Sequence, residues 1–366
     1  MHYRCMNDDS WLEGREESSP IGATCGRVWS IILAGGNGDR IGDLVQNWIG
    51  RPVPKQYCAF TGKRSMLQHT LSRADALSPR ERQFVLIAKD HLREAQAQLA
   101  DRWSHGVIVQ PTNRDTLPGI LLPLTHVFAR DPKATVAIFP SDHFIYPENN
   151  FRNFVEKAVQ AAEALPDRLM LVGAQAHSLE LEYGWICPGK QIREFGGHSV
   201  LSVMLFLEKP ARAQATVAMS RGGLWNTMIV VSKAQTLWQL ACDHFPEIMM
   251  LYKQLLEVIG TSHEEETVKA IYEIMPARNF SSDLLAQAID HIGVMPMKDV
   301  MWCDWGRKER ILEILRYIGK QPNFPMILAT GGRPMRQKAE VIPLARPQSP
   351  AFGDALEDMP AGNILS

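Results

Sequence analysis

The sequence predicts an α/β fold, a doubly wound and mostly parallel sheet with helices on both faces. Three observations carry this. Residues 28–34 (Val-Trp-Ser-Ile-Ile-Leu-Ala) form a continuous apolar run that stops at glycines, as a buried parallel strand does. Short apolar runs then alternate with longer amphipathic stretches, the pattern of βαβ units. A chain of 366 residues, 45% hydrophobic and 22% charged, is long enough for one large α/β domain or two modest ones.

In order, residues 1–27 are polar and acidic and read as a disordered leader. After the first strand, Gly35, Gly36 and Gly38 supply three glycines within four residues, which lets backbone N–H groups approach a polyanion such as phosphate. Arg40 and Lys55 add cations on either side. A dinucleotide fingerprint fails here because Ile41 stands where glycine is required, and no Walker Gly-Lys-Ser/Thr follows.

Helices are expected at 66–76 and 90–102, with strands at 84–88 and 106–110. Next comes Gln110-Pro111-Thr112-Asn113-Arg114-Asp115-Thr116, where Asp115 or Thr116 suits an N-cap for a helix through residue 129. A strand at 134–139 runs into Pro140-Ser141-Asp142-His143. A carboxylate at a strand's carboxyl end, beside a phosphate loop, is well placed for Mg²⁺, although such a residue also serves as a cap. Further helices are expected at 151–165, 235–259, 264–274, 282–289 and 307–317, and strands at 169–173, 203–207 and 294–297. Residues 321–366 turn to Pro, Gly and charge and read as a mostly disordered tail, leaving 28–320 as the folded domain.

The formal net charge of −1 argues against a general nucleic-acid surface. Six scattered cysteines without a Cys-x-x-Cys pair read as reduced thiols of a cytoplasmic protein. No apolar run approaches the length of a membrane span, so no membrane partner is expected.

Leu33-Ala34-Gly35-Gly36-Asn37-Gly38-Asp39-Arg40 with the downstream Pro54-Lys55-Gln56 resembles the signature of the sugar-phosphate nucleotidyltransferases, most nearly their mannose-1-phosphate guanylyltransferase branch. The later motifs fit the same order: Pro111, Arg114, Thr116 and Pro118; Pro140-Ser141-Asp142-His143; Glu182-Tyr183-Gly184-Trp185; Glu208-Lys209-Pro210; Trp225-Asn226; and Trp302-Cys303-Asp304-Trp305-Gly306. The resemblance implies a Rossmann-like fold of the nucleotide-diphospho-sugar transferase type. It implies transfer of a nucleotidyl group from GTP to mannose 1-phosphate with Mg²⁺. The rivals are another pair, such as UTP or dTTP with glucose 1-phosphate, and a non-catalytic homologue.

By resemblance, Ala34, Gly35, Gly36, Gly38, Arg114 and Thr116 would contact the nucleotide, and Arg40 and Lys55 its phosphates. Asp142 and Asp304 would hold the metal. Tyr183, Gly184, Glu208, Lys209 and Asn226 would take the sugar phosphate, with Lys209 on the phosphate itself. Departures stand at Asp39, where threonine is common, at Thr227-Met228, at Cys303 and Trp305, and in the longer segment 41–53 with its Trp48. The sequence leaves room for a homo-oligomer without specifying one.

Overall fold

The computed structural model describes residues 27–329. Its strands are β1 (Val28–Ala34), β2 (Gln83–Ala88), β3 (Val107–Gln110), β4 (Thr135–Pro140), β5 (Phe144–Tyr146), β6 (Leu169–Gln175), β7 (Trp185–Phe195), β8 (His198–Leu207), β9 (Leu224–Lys233), β10 (Ile292–Met297) and β11 (Met301–Cys303). Nine make one sheet in the order β3-β2-β1-β4-β9-β6-β10-β8-β7, and β11 pairs with β5 in a second, two-stranded sheet. Within the large sheet β9 runs antiparallel to β4 and β6, and β8 antiparallel to β10 and β7, while the other strands share one direction. The sheet is therefore mostly parallel.

Alternate residues of the central strands go to opposite faces. Ile31, Phe84 and Leu86 join a core under the helices Thr116–Arg130, Ala234–His244 and Pro246–Val258. Their neighbours Ile32, Val85 and Ile87 join one under Met66–Asp75 and Lys308–Tyr317. Burying one such isoleucine is worth about 1.5–3 kcal/mol, so a one-residue slip of register would be strongly disfavoured.

Local chemistry set several boundaries. Ser65 caps Met66–Asp75 through a reciprocal pair with Gln68. The helix expected over 235–259 is two helices, because Pro246 lacks an N–H and starts a new one after Phe245. The helix expected over 90–102 is shorter, Leu92–Gln98, with a separate turn at Trp103–Gly106. The capped helix expected at 282–289 is instead a π-helical turn, Phe280–Leu285, whose first amides bond to the Asn279 side chain.

The longer segment after the glycine loop folds into the helix Gly42–Ile49. Its Trp48 meets Phe60 and Phe324 at ring distances of 5.7 and 5.8 Å. Phe324 is buried and Asn323 donates to Ala59 and Gly62 carbonyls, so packing continues beyond residue 320 to the short helix Met326–Ala329. Residues 1–26 of the expected leader and 330–366 of the expected tail lie outside the described residues. No described helix is long and apolar enough to cross a membrane.

Candidate active site

The carboxyl end of β1 opens into the glycine loop. Gly38 is needed twice over: its φ is 70°, and a Cβ there would stand 2.6 Å from the Cβ of Lys55. The short turn Lys55–Tyr57 lies against this loop, and Gln56 Nε2 donates to the carbonyls of Ala34 (2.8 Å) and Gly36 (2.7 Å). Gln56 therefore fixes the loop from beneath, while Gly36 stays exposed.

Ser141 clamps the end of β4 to β1 by bonding its hydroxyl to the Leu33 carbonyl at 2.8 Å. Asp142 follows, and its Oδ2 lies 2.6 Å from the buried Lys55 ammonium. Its Oδ1 faces His143 Nε2 at 3.6 Å. Trp302 Nε1 donates to His143 Nδ1 at 3.3 Å, which leaves Nε2 as the protonated nitrogen of the neutral ring. Burial disfavours ionised Asp142, but the Lys55 ammonium beside it outweighs this and keeps its pKa low.

Asp304 arrives from the other end of the chain. The antiparallel pairing of β11 with β5, Cys303 opposite Phe144, carries it to the strand end that holds Asp142. Asp304 Oδ1 accepts from Tyr183 (2.6 Å), Arg310 (2.9 Å) and the Gly306 N–H (3.0 Å). Its Oδ2 accepts from Arg40 at 2.6 Å, and its main-chain carbonyl from Lys55. A Cβ on Gly306 would strike both the Arg40 guanidinium and Oδ2 at 2.5 Å, so this ion pair requires glycine there. Burial would raise the Asp304 pKa, but the Tyr183 hydrogen bond, Lys55 and Arg40 hold it well below the carboxylate range. Tyr183 itself is pushed far up, by burial first and by Cys303 and Asp304 beside it.

Around this centre lie Glu182, which binds Arg40 (3.0 Å) and Arg307 (2.6 Å), and Glu180, which binds Arg310. Arg40, Lys55, Arg307 and Arg310 thus face Asp142, Glu180, Glu182 and Asp304, four cations against four anions. Glu182, Arg307, Arg310 and Gln56 had no assigned role in the sequence reading. The three-residue spacing of Arg307 and Arg310 after the Asp304 motif was the available signal.

On the other side, Gly184, Glu208 and Asn226 meet: a Cβ on Gly184 would stand 2.8 Å from Glu208 Oε2 and 3.2 Å from Asn226 Cβ. Asn226 spends its amide locally, accepting from Met228 N–H (3.1 Å) and donating to Ser281 (3.4 Å). Lys209 is exposed on left-handed backbone, φ 43°. Arg114 and Thr116 stand apart from the charged centre. Arg114 donates to the carbonyls of Tyr272 (2.8 Å) and Glu273 (3.0 Å), and the Thr116 hydroxyl accepts from Phe280 N–H. Asp115 is the N-cap of Thr116–Arg130.

Magnesium takes oxygen ligands and keeps several waters. Asp142, one-third exposed, fits that need; Asp304 offers Oδ2 only in exchange for Arg40. Among the described residues no group of three or more His, Cys, Asp or Glu side chains could hold an ion by itself. A metal held by Asp142 and Asp304 would take its remaining oxygens from water or a ligand.

A glycine loop, converging cations and strand-end carboxylates on a mostly parallel sheet are suited to grip a phosphorylated ligand. The family model described as nucleotidyl transferase matches residues 29–321, and the chain belongs to that family. It is 24% identical over 292 residues to a mannose-1-phosphate guanylyltransferase of Escherichia coli, which covers 78% of this chain and 61% of the relative. It is 28% identical over 221 residues to the alginate biosynthesis protein AlgA of Pseudomonas aeruginosa, covering 60% and 44%. The chain therefore spans less than two thirds of the length of these relatives. A solved structure described as a mannose-1-phosphate geranyltransferase from Thermus thermophilus shares the fold, with TM-score 0.66, 23% identity and 79% of each chain covered.

Proposed function

We propose that this chain transfers a nucleotidyl group from a nucleoside triphosphate, GTP by preference, to a sugar 1-phosphate, mannose 1-phosphate by preference. The observation that carries this reading is the meeting of Arg40, Lys55, Asp142 and Asp304 at one strand end, drawn from segments up to 264 residues apart in a chain of this family. The relatives' names support the choice of GTP and mannose 1-phosphate. The four described free cysteines support a cytoplasmic setting.

In this reading a sugar-phosphate oxygen attacks the α-phosphorus. The bond from that phosphorus to the bridging oxygen breaks, and pyrophosphate leaves in line. The nucleophile is already an anion, so the chain needs no general base; its work is positioning and charge stabilisation. The glycine loop and Arg40 take the triphosphate, Lys55 neutralises it, and Lys209 receives the sugar phosphate. Asp142, joined by Asp304 Oδ2, would hold Mg²⁺, which when bound stabilises charge on the reacting phosphate. Arg114 and Thr116, at the mouth of the helix Thr116–Arg130, would flank the base.

The test is pyrophosphate release from a panel of five nucleoside triphosphates against several sugar 1-phosphates. GTP with mannose 1-phosphate and Mg²⁺ should be the best pair, and EDTA should abolish release. Turnover with UTP and glucose 1-phosphate, and none with GTP, would overturn the specificity and keep the reaction class. Nucleotide binding without release from any pair would mark a non-catalytic homologue.

A further inference from the structure

Both terminal nitrogens of Arg40 are engaged. One side of its guanidinium donates to Asp304 Oδ2 at 2.6 Å and the other to Glu182 Oε2 at 3.0 Å, with Gly306 beneath. The two anions are not equivalent. Asp304 is buried, and Tyr183, Arg310 and the Gly306 N–H hold its Oδ1 independently of Arg40, which bonds Oδ2. Glu182 is 36% exposed and lies just ahead of β7. It is also held by Arg307, through Oε1 at 2.6 Å and Oε2 at 3.2 Å. Arg40 and Arg307 are each 48% exposed, so these pairs are solvent-screened and weak. A triphosphate offers Arg40 more charge and pairs of oxygens that its guanidinium can take in a two-pronged grip.

We propose that Glu182 is a positioning residue that sets triphosphate affinity by competing with the nucleotide for Arg40. Without nucleotide, Glu182 keeps the guanidinium extended across the mouth of the site. On binding, the phosphates replace Glu182, which retains Arg307 as its partner. Exposure makes the exchange cheap, and the buried Asp304 stays ordered throughout. This rests on the reading above that Arg40 contacts the triphosphate.

The experiment is calorimetric titration of GTP into the full chain in EDTA, without sugar phosphate, so that binding is read without turnover. Four proteins are compared: wild type, Glu182→Gln, Arg40→Gln and the double variant. Arg40→Gln should weaken binding. Glu182→Gln should tighten it about two- to fivefold, the size of an exposed ion pair. Its effect should vanish in the Arg40→Gln background. Glu182→Gly, a second replacement at this exposed position, should match Glu182→Gln.

Binding that is unchanged or weaker in both Glu182 variants would overturn the proposal. So would a gain of equal size in the Arg40→Gln background, because it would be only the removal of a negative charge near an anion. If Arg40→Gln binds GTP as well as wild type, the reading of Arg40 itself falls and takes this proposal with it. If Arg40→Gln binds poorly and the Glu182 variants do not tighten, only the present proposal falls.

Discussion

The two halves of the site are built in opposite ways. On the glycine-loop side the buried and half-buried cations already have protein partners: Arg40 with Asp304 and Glu182, Lys55 with Asp142, Arg310 with Glu180. On the β7–β9 side the polar groups are less compensated. Left-handed backbone, which costs roughly 1–3 kcal/mol a residue, occurs in both halves: at Lys209 and Met228 (φ 43° and 56°) here, and at Trp305 (φ 45°) beside Asp304. The Glu208 pKa is raised by burial, which Lys209 only partly offsets and Asp115 reinforces. The first half must exchange partners to take a ligand. The second exposes Lys209 and has less to exchange. A polyanionic triphosphate can displace acids from arginine and lysine; a sugar with one phosphate has less to offer and needs a site prepared for it.

The largest effect expected from breaking this contrast is at Lys55. Lys55→Met leaves Asp142 without its ammonium in a mostly buried setting and should cost about 3 kcal/mol, the low end for a severed buried pair because Asp142 is partly exposed. Denaturant unfolding would measure it, and adding Asp142→Asn should restore part of the loss. No loss, or no recovery in the double variant, would mean the pair is incidental.

An intermediate effect is expected at Lys209. Lys209→Ala removes a charge-assisted contact worth roughly 1.5–3 kcal/mol, so the KM for sugar phosphate should rise about ten- to a hundredfold with GTP binding intact. Loss of GTP binding instead would show that the two halves are wrongly assigned.

The smallest effect concerns pH, and its sign differs between the halves. Asp304 has a folded pKa below the unfolded value of about 3.9, so its stabilisation is present above about pH 4 and lost as pH falls from there. Asp304→Asn should therefore be less stable than wild type at pH 7, with the gap narrowing below about pH 4. Glu208 is shifted upward, so its contribution is full below about pH 4.3 and is lost as pH rises through its folded value. Glu208→Gln should gain less than about 1 kcal/mol at neutral pH. Urea midpoints across pH 3–8 would show both trends; parallel curves for Glu208→Gln and wild type would remove the distinction.

Much of the fold was legible because its signals are local. The run Val28–Ala34 needed only its apolar continuity and closing glycines, and the helix Glu264–Ile274 only its periodicity. The order of the motifs was enough to name Arg40, Lys55, Asp142 and Asp304, and the chain brings them to one place. Less legible was β9, whose first residues Leu224-Trp225-Asn226 were read as a motif alone. Its position between β4 and β6, against both, follows from strand pairing that no local pattern encodes. Phe324 was equally silent, since its burial depends on Trp48 and Phe60.

By itself the sequence determined the βαβ alternation, the glycine loop and the set of charged residues at strand ends, because apolar period and turn chemistry act over a few residues. Tertiary structure alone decided who pairs with whom. Arg40 and Asp304 lie 264 residues apart, and Glu182 lies 142 from Arg40. A charge in a sequence has many candidate partners of opposite sign. Only the sheet order and the β5–β11 pairing bring one set within 3 Å, and they bury the Asp304 end of it enough for the choice to matter.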